Sequence, residues 1–232
     1  MRVSPRRCAA SFPPDKAGVA AIEFAFLVPI MLLLSLGGFD LGRFVMATEQ
    51  VGMTAYYIAQ MISEAPLSTS ATIAGDGTVA SADLQFYHDA AMVIFPDVLS
   101  DSAAQGIPWS QDIGITMTSI KFKATPTGCT TSCSYVPQVV WSGGTHPRVC
   151  GGTITAAADA STPSSTTLPT DMFGSGSLIV VDITYTFRPY VGSQFLPSFP
   201  IARSFYIAPR NVPTVEYSGG TSGFATACSG VL

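Results

Sequence analysis

Charge is what this 232-residue chain has least of. Asp, Glu, Lys and Arg make up 11% of it and the mean hydropathy is +0.39, a low charge content for a soluble protein. Basic residues form no cluster beyond the first seven positions and the net charge is −4, so the electrostatic footprint of a nucleic-acid binder is missing. Histidine occurs twice: His88 in a segment of helical periodicity and His146 in a Gly/Pro loop, neither with triad logic around it. There is no G-x-S-x-G elbow, no phosphate-binding loop and no dinucleotide fingerprint; "GSGS" at Gly174 is loop composition. Asp97 and Asp101 read as parts of a polar connection with no reason to share a cleft. Nothing in the sequence argues for an enzyme, a cofactor or a small-molecule substrate.

The charge that is present is unevenly placed. Arg2, Arg6, Arg7 and Lys16 precede an apolar run, against Asp15 alone, and the rest of the chain is acidic. Val19 to Phe39 then holds a single charge, Glu23. At about 1.5 Å per helical residue it spans roughly 31 Å, the thickness of a bilayer core. Basic residues stay on the cytoplasmic side of a membrane segment, which predicts the N-terminus inside and everything after Arg43 outside. Pro29 removes one helix hydrogen bond, which membrane helices tolerate.

Three readings of this run stand side by side. It is an uncleaved single-pass anchor whose Glu23 reaches back to the headgroups. Or it is a secretory signal, cut after the "SLG" of Ser35 to Gly37 to leave a protein beginning at Gly38. Or it is cut at its inner edge. A carboxylate in lipid costs roughly 2.5–3.5 kcal/mol on insertion scales and is a functional candidate by default.

The third reading rests on particular residues. Lys16-Ala17-Gly18 before Val19-Ala20-Ala21-Ile22-Glu23-Phe24 resembles the processing site of type IV prepilins. Gly18, Glu23-Phe24-Ala25, Pro29, Leu32-Leu33-Leu34, Gly37, Asp40 and Gly42-Arg43 together resemble the TadE-like family, minor pilins or pseudopilins of the tight-adherence (Flp) pilus machinery. That motif covers roughly the first quarter of the chain. The resemblance implies cleavage between Gly18 and Val19 by a prepilin peptidase. It implies contact with other pilins and the tight-adherence assembly platform, and a place in the bacterial inner membrane with a periplasmic C-terminal part. It also implies that Glu23 neutralises the new α-amine of a neighbouring subunit. Asp40 and Arg43, at i and i+3 on a helix, can pair at the outer interface.

Beyond the run, Phe44, Thr48, Val51, Ala55, Ile58 and Ile62 recur every three to four positions, so the helix is expected to continue and to seat one seam on a partner. Glu64-Ala65-Pro66 ends it. Leu67 to Ala80 reads as a loop, and Ser81 as the cap of a second helix that Pro96 stops. From Asp112 the period becomes two. Ile113, Ile115 and Met117 share a face, and a bulge near Thr118-Ser119 would keep Ile120 and Phe122 on it. Tyr135 to Trp141, Leu178 to Arg188 and Ile201 to Ala208 complete about four strands. The fold class expected is α+β, pilin-like: a long N-terminal helix, a short second helix, and an antiparallel sheet with one face covered by helices. The divisions are 1–18 as a cleaved basic leader, 19–65 as membrane and spine helix, and 66–232 as an extracytoplasmic α+β domain. Residues 142–176 read as an exposed insertion.

Four of the five cysteines, Cys129, Cys133, Cys150 and Cys228, lie on the outer side and form an even set suited to two disulfides. The preferred pairing is Cys129 with Cys133 across a turn and Cys150 with Cys228. The spacing Cys129-x₃-Cys133-x₁₂-His146-x₃-Cys150 approaches a zinc pattern, but Pro147 and Gly143-Gly144 forbid the helix a finger needs, and no metal is expected.

Overall fold

The computed structural model describes residues 16–68, 75–159, 161–191, 193, 196–219 and 223–230. The expected leader lies outside these, apart from its last three residues. Helix α1 runs unbroken over Lys16–Ser63 and carries Pro29 within it. At about 1.5 Å per residue it is roughly 72 Å long. Its two halves differ. From Ala21 to Phe39 nearly every side chain is exposed, including Phe26, Leu33 and Leu34. From Asp40 onward one seam is buried: Ala47, Val51, Ala55, Ile58, Ala59 and Ile62. The seam expected from periodicity is thus present, widened by small residues that let the helix approach the sheet closely. The helix stops at Ser63, one residue before Glu64. The Ser63 carbonyl accepts from Arg210 N at 3.0 Å, and Arg210 also pairs with Glu64 at 3.0 Å.

A short strand β1 (Gly77–Val79) lies in the segment read as a loop. Four short helices follow: α2 (Ser81–Asp89), α3 (Ala91–Ile94), α4 (Asp97–Gln105) and α5 (Trp109–Asp112). Ser81 does not cap α2. Ala80 occupies that position and its N–H donates to the Asp83 carboxylate at 2.8 Å, while Ser81 Oγ accepts from Phe224 N. The polar connection around Asp97 and Asp101 is the helix α4, closed by Gly106 in the left-handed conformation.

The remaining strands are β2 (Ile113–Thr125), β3 (Ser134–Gly144), β4 (Thr155–Ala157), β5 (Thr167–Pro169), β6 (Gly176–Phe187), β7 (Phe199–Ile207), β8 (Val215–Tyr217) and β9 (Ala225–Ala227). Five of them form an antiparallel sheet in the order β7-β6-β2-β3-β9. The four expected strands lie side by side as β7-β6-β2-β3, and β9, from the tail, adds a fifth at the β3 edge. Strand β1 pairs in parallel with β8, and β4 in parallel with β5. Gly144 ends β3 at φ +106°, where a Cβ would fall 2.0 Å from the Ile115 carbonyl oxygen; only glycine fits that approach.

Helix α1 lies across β6 and β7. Its seam packs on Ile113, Ile115, Met117, Ile179, Val181 and Ile183, as the alternation indicated. The opposite face corrects the expectation of a one-sided sheet. Ile120, Val139, Leu178 and Val180 meet Ile154 and Leu168 in a second buried cluster. Those last two belong to the segment read as an exposed insertion, which therefore covers the sheet. The bulge falls at the expected level, but on the neighbouring strand. Strand β2 keeps continuous register with β6, while its register with β3 shifts between Ser119 and Ile120. The extra residue is Val140, so Val140 and Trp141 both reach the helix-side core. Ile120 and Phe122 accordingly turn to the second core instead of sharing a face with Met117.

Candidate assembly surface

The candidate site is a helix surface and its junction with the sheet, since the described residues hold no group of three or more His, Cys, Asp or Glu that suits a metal ion. Gly18 and Val19 stand in the first turns of α1. Glu23 follows one turn later on the exposed face among Ile22, Phe24 and Phe26. Among the described residues nothing buries Ala21 to Leu27, and α1 is one helix long and apolar enough to cross a membrane.

Asp40 is where the exposed half ends. Its carboxylate is buried and accepts two backbone hydrogen bonds from the chain after β6: Tyr190 N to Oδ1 at 3.0 Å and Val191 N to Oδ2 at 3.1 Å. Arg43, one turn on, lies 3.9 Å from the same carboxylate. Its guanidinium sits 3.6 Å from the centre of the Tyr190 ring and 5.4 Å from that of Phe187, which is cation–π geometry. Phe44 packs edge-on against Phe187 at 5.4 Å. The residues read as an i, i+3 pair thus do more than pair: they clamp the β6–β7 connection to the helix. The sequence carried no sign of Tyr190 as their partner, because backbone N–H groups 150 residues away leave no trace in residue spacing.

A second polar cluster locks the short helices to the end of β6. Arg188 Nη1 reaches Asp101 Oδ2 and Asp112 Oδ1, both at 2.7 Å, and Tyr185 OH donates to Asp101 Oδ2 at 3.0 Å. Burial raises the Asp112 pKa above the usual carboxylate value; the Arg188 hydrogen bond opposes this and the Asp101 charge adds to it. Asp112 Oδ2 has no hydrogen-bond partner among the described residues. Burial likewise raises the Tyr185 hydroxyl pKa, with Asp101 adding to the effect. Two largely buried carboxylates on one partly exposed guanidinium tie α4 and α5 to the end of β6. The sequence placed Asp101 in a loop, and only the lone Arg188 ending an amphipathic strand hinted at a buried counter-charge.

A third tie joins the insertion to the sheet. Arg148, almost wholly buried, donates to Asp182 Oδ2 at 2.8 Å and to the Thr167 carbonyl at 3.1 Å. Asp182 also accepts from Ser204 Oγ. Its pKa is raised, burial outweighing the Arg148 charge and these hydrogen bonds. The four outer cysteines form Cys129–Cys133 and Cys150–Cys228, with Cα separations of 5.7 and 5.2 Å. The thiols that approached a zinc spacing are thereby consumed in disulfides. Cys8 lies outside the described residues.

The geometry defines a class of protein: an α+β body carried on a long helix whose N-terminal half is bare, apolar and of membrane-spanning length. Residues 18–60 match the family model described as TadE-like protein, the family that the sequence motif resembles. The matched segment takes in Gly18, Glu23, Asp40 and Arg43, and it supports a pilus-associated, non-enzymatic protein. No curated protein and no solved structure matches the chain.

Proposed function

We propose that this chain is a membrane-anchored minor pilin or pseudopilin that acts in assembling a tight-adherence (Flp-type) pilus. The observation that carries the reading is the matched helix, in which a carboxylate stands five residues after Gly18 on a face that the described residues leave exposed. Cleavage after Gly18 by a prepilin peptidase creates a charged α-amine at Val19. In lipid an isolated Glu23 carboxylate is costly, and pairing it with the amine of a second copy or another pilin removes much of that cost. The greasy helix then serves two solvents in turn, lipid before assembly and neighbouring helices after it. The body beyond Asp40 faces the periplasm, where the two disulfides are stable, and contacts the assembly platform and other pilins. A body of this size fits a minor component better than a major pilin.

The test is Glu23→Ala, with Glu23→Gln beside it. Both variants are expected to insert into the inner membrane as the wild type does and to lose piliation or subunit cross-linking through the α1 face. Normal pili in Glu23→Ala would sink the pairing. The alternative, a single-pass anchored binding module that no peptidase processes, predicts an intact N-terminus and no effect of either substitution.

A further inference from the structure

The β6–β7 connection carries no charge: Pro189 to Ala202 contains no Asp, Glu, Lys or Arg. Its described limbs carry Tyr190, Val191, Leu196 and Phe199, all substantially exposed for apolar side chains. They do not project at random. Val191, Leu196 and Phe199, with Leu33, Leu36, Gly37 and Leu41 of α1, line an apolar groove of about 790 Å³.

The level of this groove along the helix decides what fills it. A span of about 20 residues beginning at Val19 ends near Phe39. Leu33 and Leu36 lie four to seven residues before Asp40, some 6–10 Å back along the axis at 1.5 Å per residue. If α1 crosses the bilayer, side chains that line one groove with Leu33 and Leu36 stand at or below its outer surface. We infer that the described limbs of the β6–β7 connection, at Val191, Leu196 and Phe199, are a second membrane contact in the outer leaflet beside α1, with lipid acyl chains filling the groove between them. This rests on the membrane-spanning reading of α1 and goes beyond it.

Two independent features fit that solvent. Backbone N–H groups in or near hydrocarbon need an internal acceptor, and those of Tyr190 and Val191 have one in the Asp40 carboxylate. Aromatic rings and basic side chains are enriched at the membrane–water boundary, and Tyr190 lies under the Arg43 guanidinium with its N–H on Asp40, where the bare half of α1 ends. Before assembly the groove faces lipid, and its lining suits acyl chains: the one polar side chain in it is Asp40, already engaged by Tyr190, Val191 and Arg43. Two points of insertion would fix the rotation and tilt of the body on the membrane, which a single helix leaves free.

The experiment uses the full-length chain in vesicles of phosphatidylethanolamine and phosphatidylglycerol, some brominated near the headgroup end of the acyl chains and some near the chain terminus. Leu196→Trp, with Val191→Trp as its replacement should that variant fold poorly, reports on the loop, and Leu32→Trp on the helix. The unsubstituted chain gives the background from Trp109 and Trp141. The expected result is loss of most of the added Leu196→Trp emission with shallow bromines and less with deep ones, alongside quenching of Leu32→Trp. Emission from Leu196→Trp that survives in vesicles where Leu32→Trp is quenched overturns the loop insertion and leaves the anchor standing. That holds too where Leu196 is shielded by a second copy. If neither is quenched, both readings fall.

Discussion

Asp40 and Tyr190 are 150 residues apart in the chain and joined at 3.0 Å, carboxylate to backbone N–H. The bond sits where the bare half of α1 gives way to the half seated on β6 and β7. With the Val191 N–H and the Arg43 guanidinium around the same carboxylate, it makes a stiff neck of what is otherwise a helix leaving a body. Asp40→Ala strands two N–H donors and removes the anchor for Arg43. The expected loss is about 2 kcal/mol, from the desolvation of unsatisfied donors. Amide exchange at Tyr190 and Val191 checks it and should accelerate markedly. Asp40→Asn keeps an acceptor and should lie between the two. Unchanged exchange in Asp40→Ala would mean that the neck is held by packing alone.

The Arg188 cluster gives a prediction with a sign. Asp112 has a raised pKa, chiefly through burial. A carboxyl that holds its proton more tightly when folded adds stability below its unfolded pKa and loses that stability as pH rises through the folded value. Asp112→Asn removes this dependence and keeps an acceptor for Arg188. Its stability relative to wild type should therefore improve as pH rises from about 4 towards neutrality, as read from urea midpoints across pH. Arg188→Met is the contrast. It leaves Asp101 and Asp112 facing each other without a counter-charge, and should cost about 3 kcal/mol at neutral pH.

The helix, its seam and the strands β7, β6, β2 and β3 were legible because one residue type recurs at one period in each. Val51, Ala55, Ile58 and Ile62 mark the seam, and Ile179, Val181, Ile183, Tyr185 and Phe187 mark the inner face of β6. The second core was not legible. Ile154 and Leu168 are isolated apolar residues in a Gly/Ser/Thr-rich segment, and their burial depends on β4, β5 and the Arg148–Asp182 pair folding over the sheet. Asp182 lies on the face opposite α1, as alternation indicated, but that face is covered. The bulge was misplaced because a change of apolar parity along β2 has two explanations, an extra residue or a second core, and periodicity alone does not separate them. At the candidate site the same division holds. Gly18, Glu23, Asp40 and Arg43 form a local pattern, while Tyr190 and Asp112 enter through tertiary contacts.

Leu168 tests the second core. It is buried, so Leu168→Ala should cost about 2–5 kcal/mol, as deleting a core leucine does. An exposed loop leucine would stay within about 0.5 kcal/mol. Urea unfolding followed by Trp141 fluorescence distinguishes the two.

The disulfides should differ in weight. Cys150–Cys228 spans 78 residues and Cys129–Cys133 spans four. In the chain-entropy model the first is worth about 4 kcal/mol and the second about 2. Paired Cys→Ser replacements, compared by unfolding midpoint, should show that order. Equal losses would point to the native-state packing of β9, which precedes Cys228, as the main effect.

The central claim is that the apolar helix is an anchor cut at its inner edge and reused in assembly. The N-terminal residue of the mature protein, recovered from the inner membrane and read by mass spectrometry of the intact chain and its N-terminal peptide, tests it most directly. The account predicts Val19, with the leader through Gly18 removed. A mature protein that begins at Gly38, or one that retains Met1 or the basic leader, would contradict it.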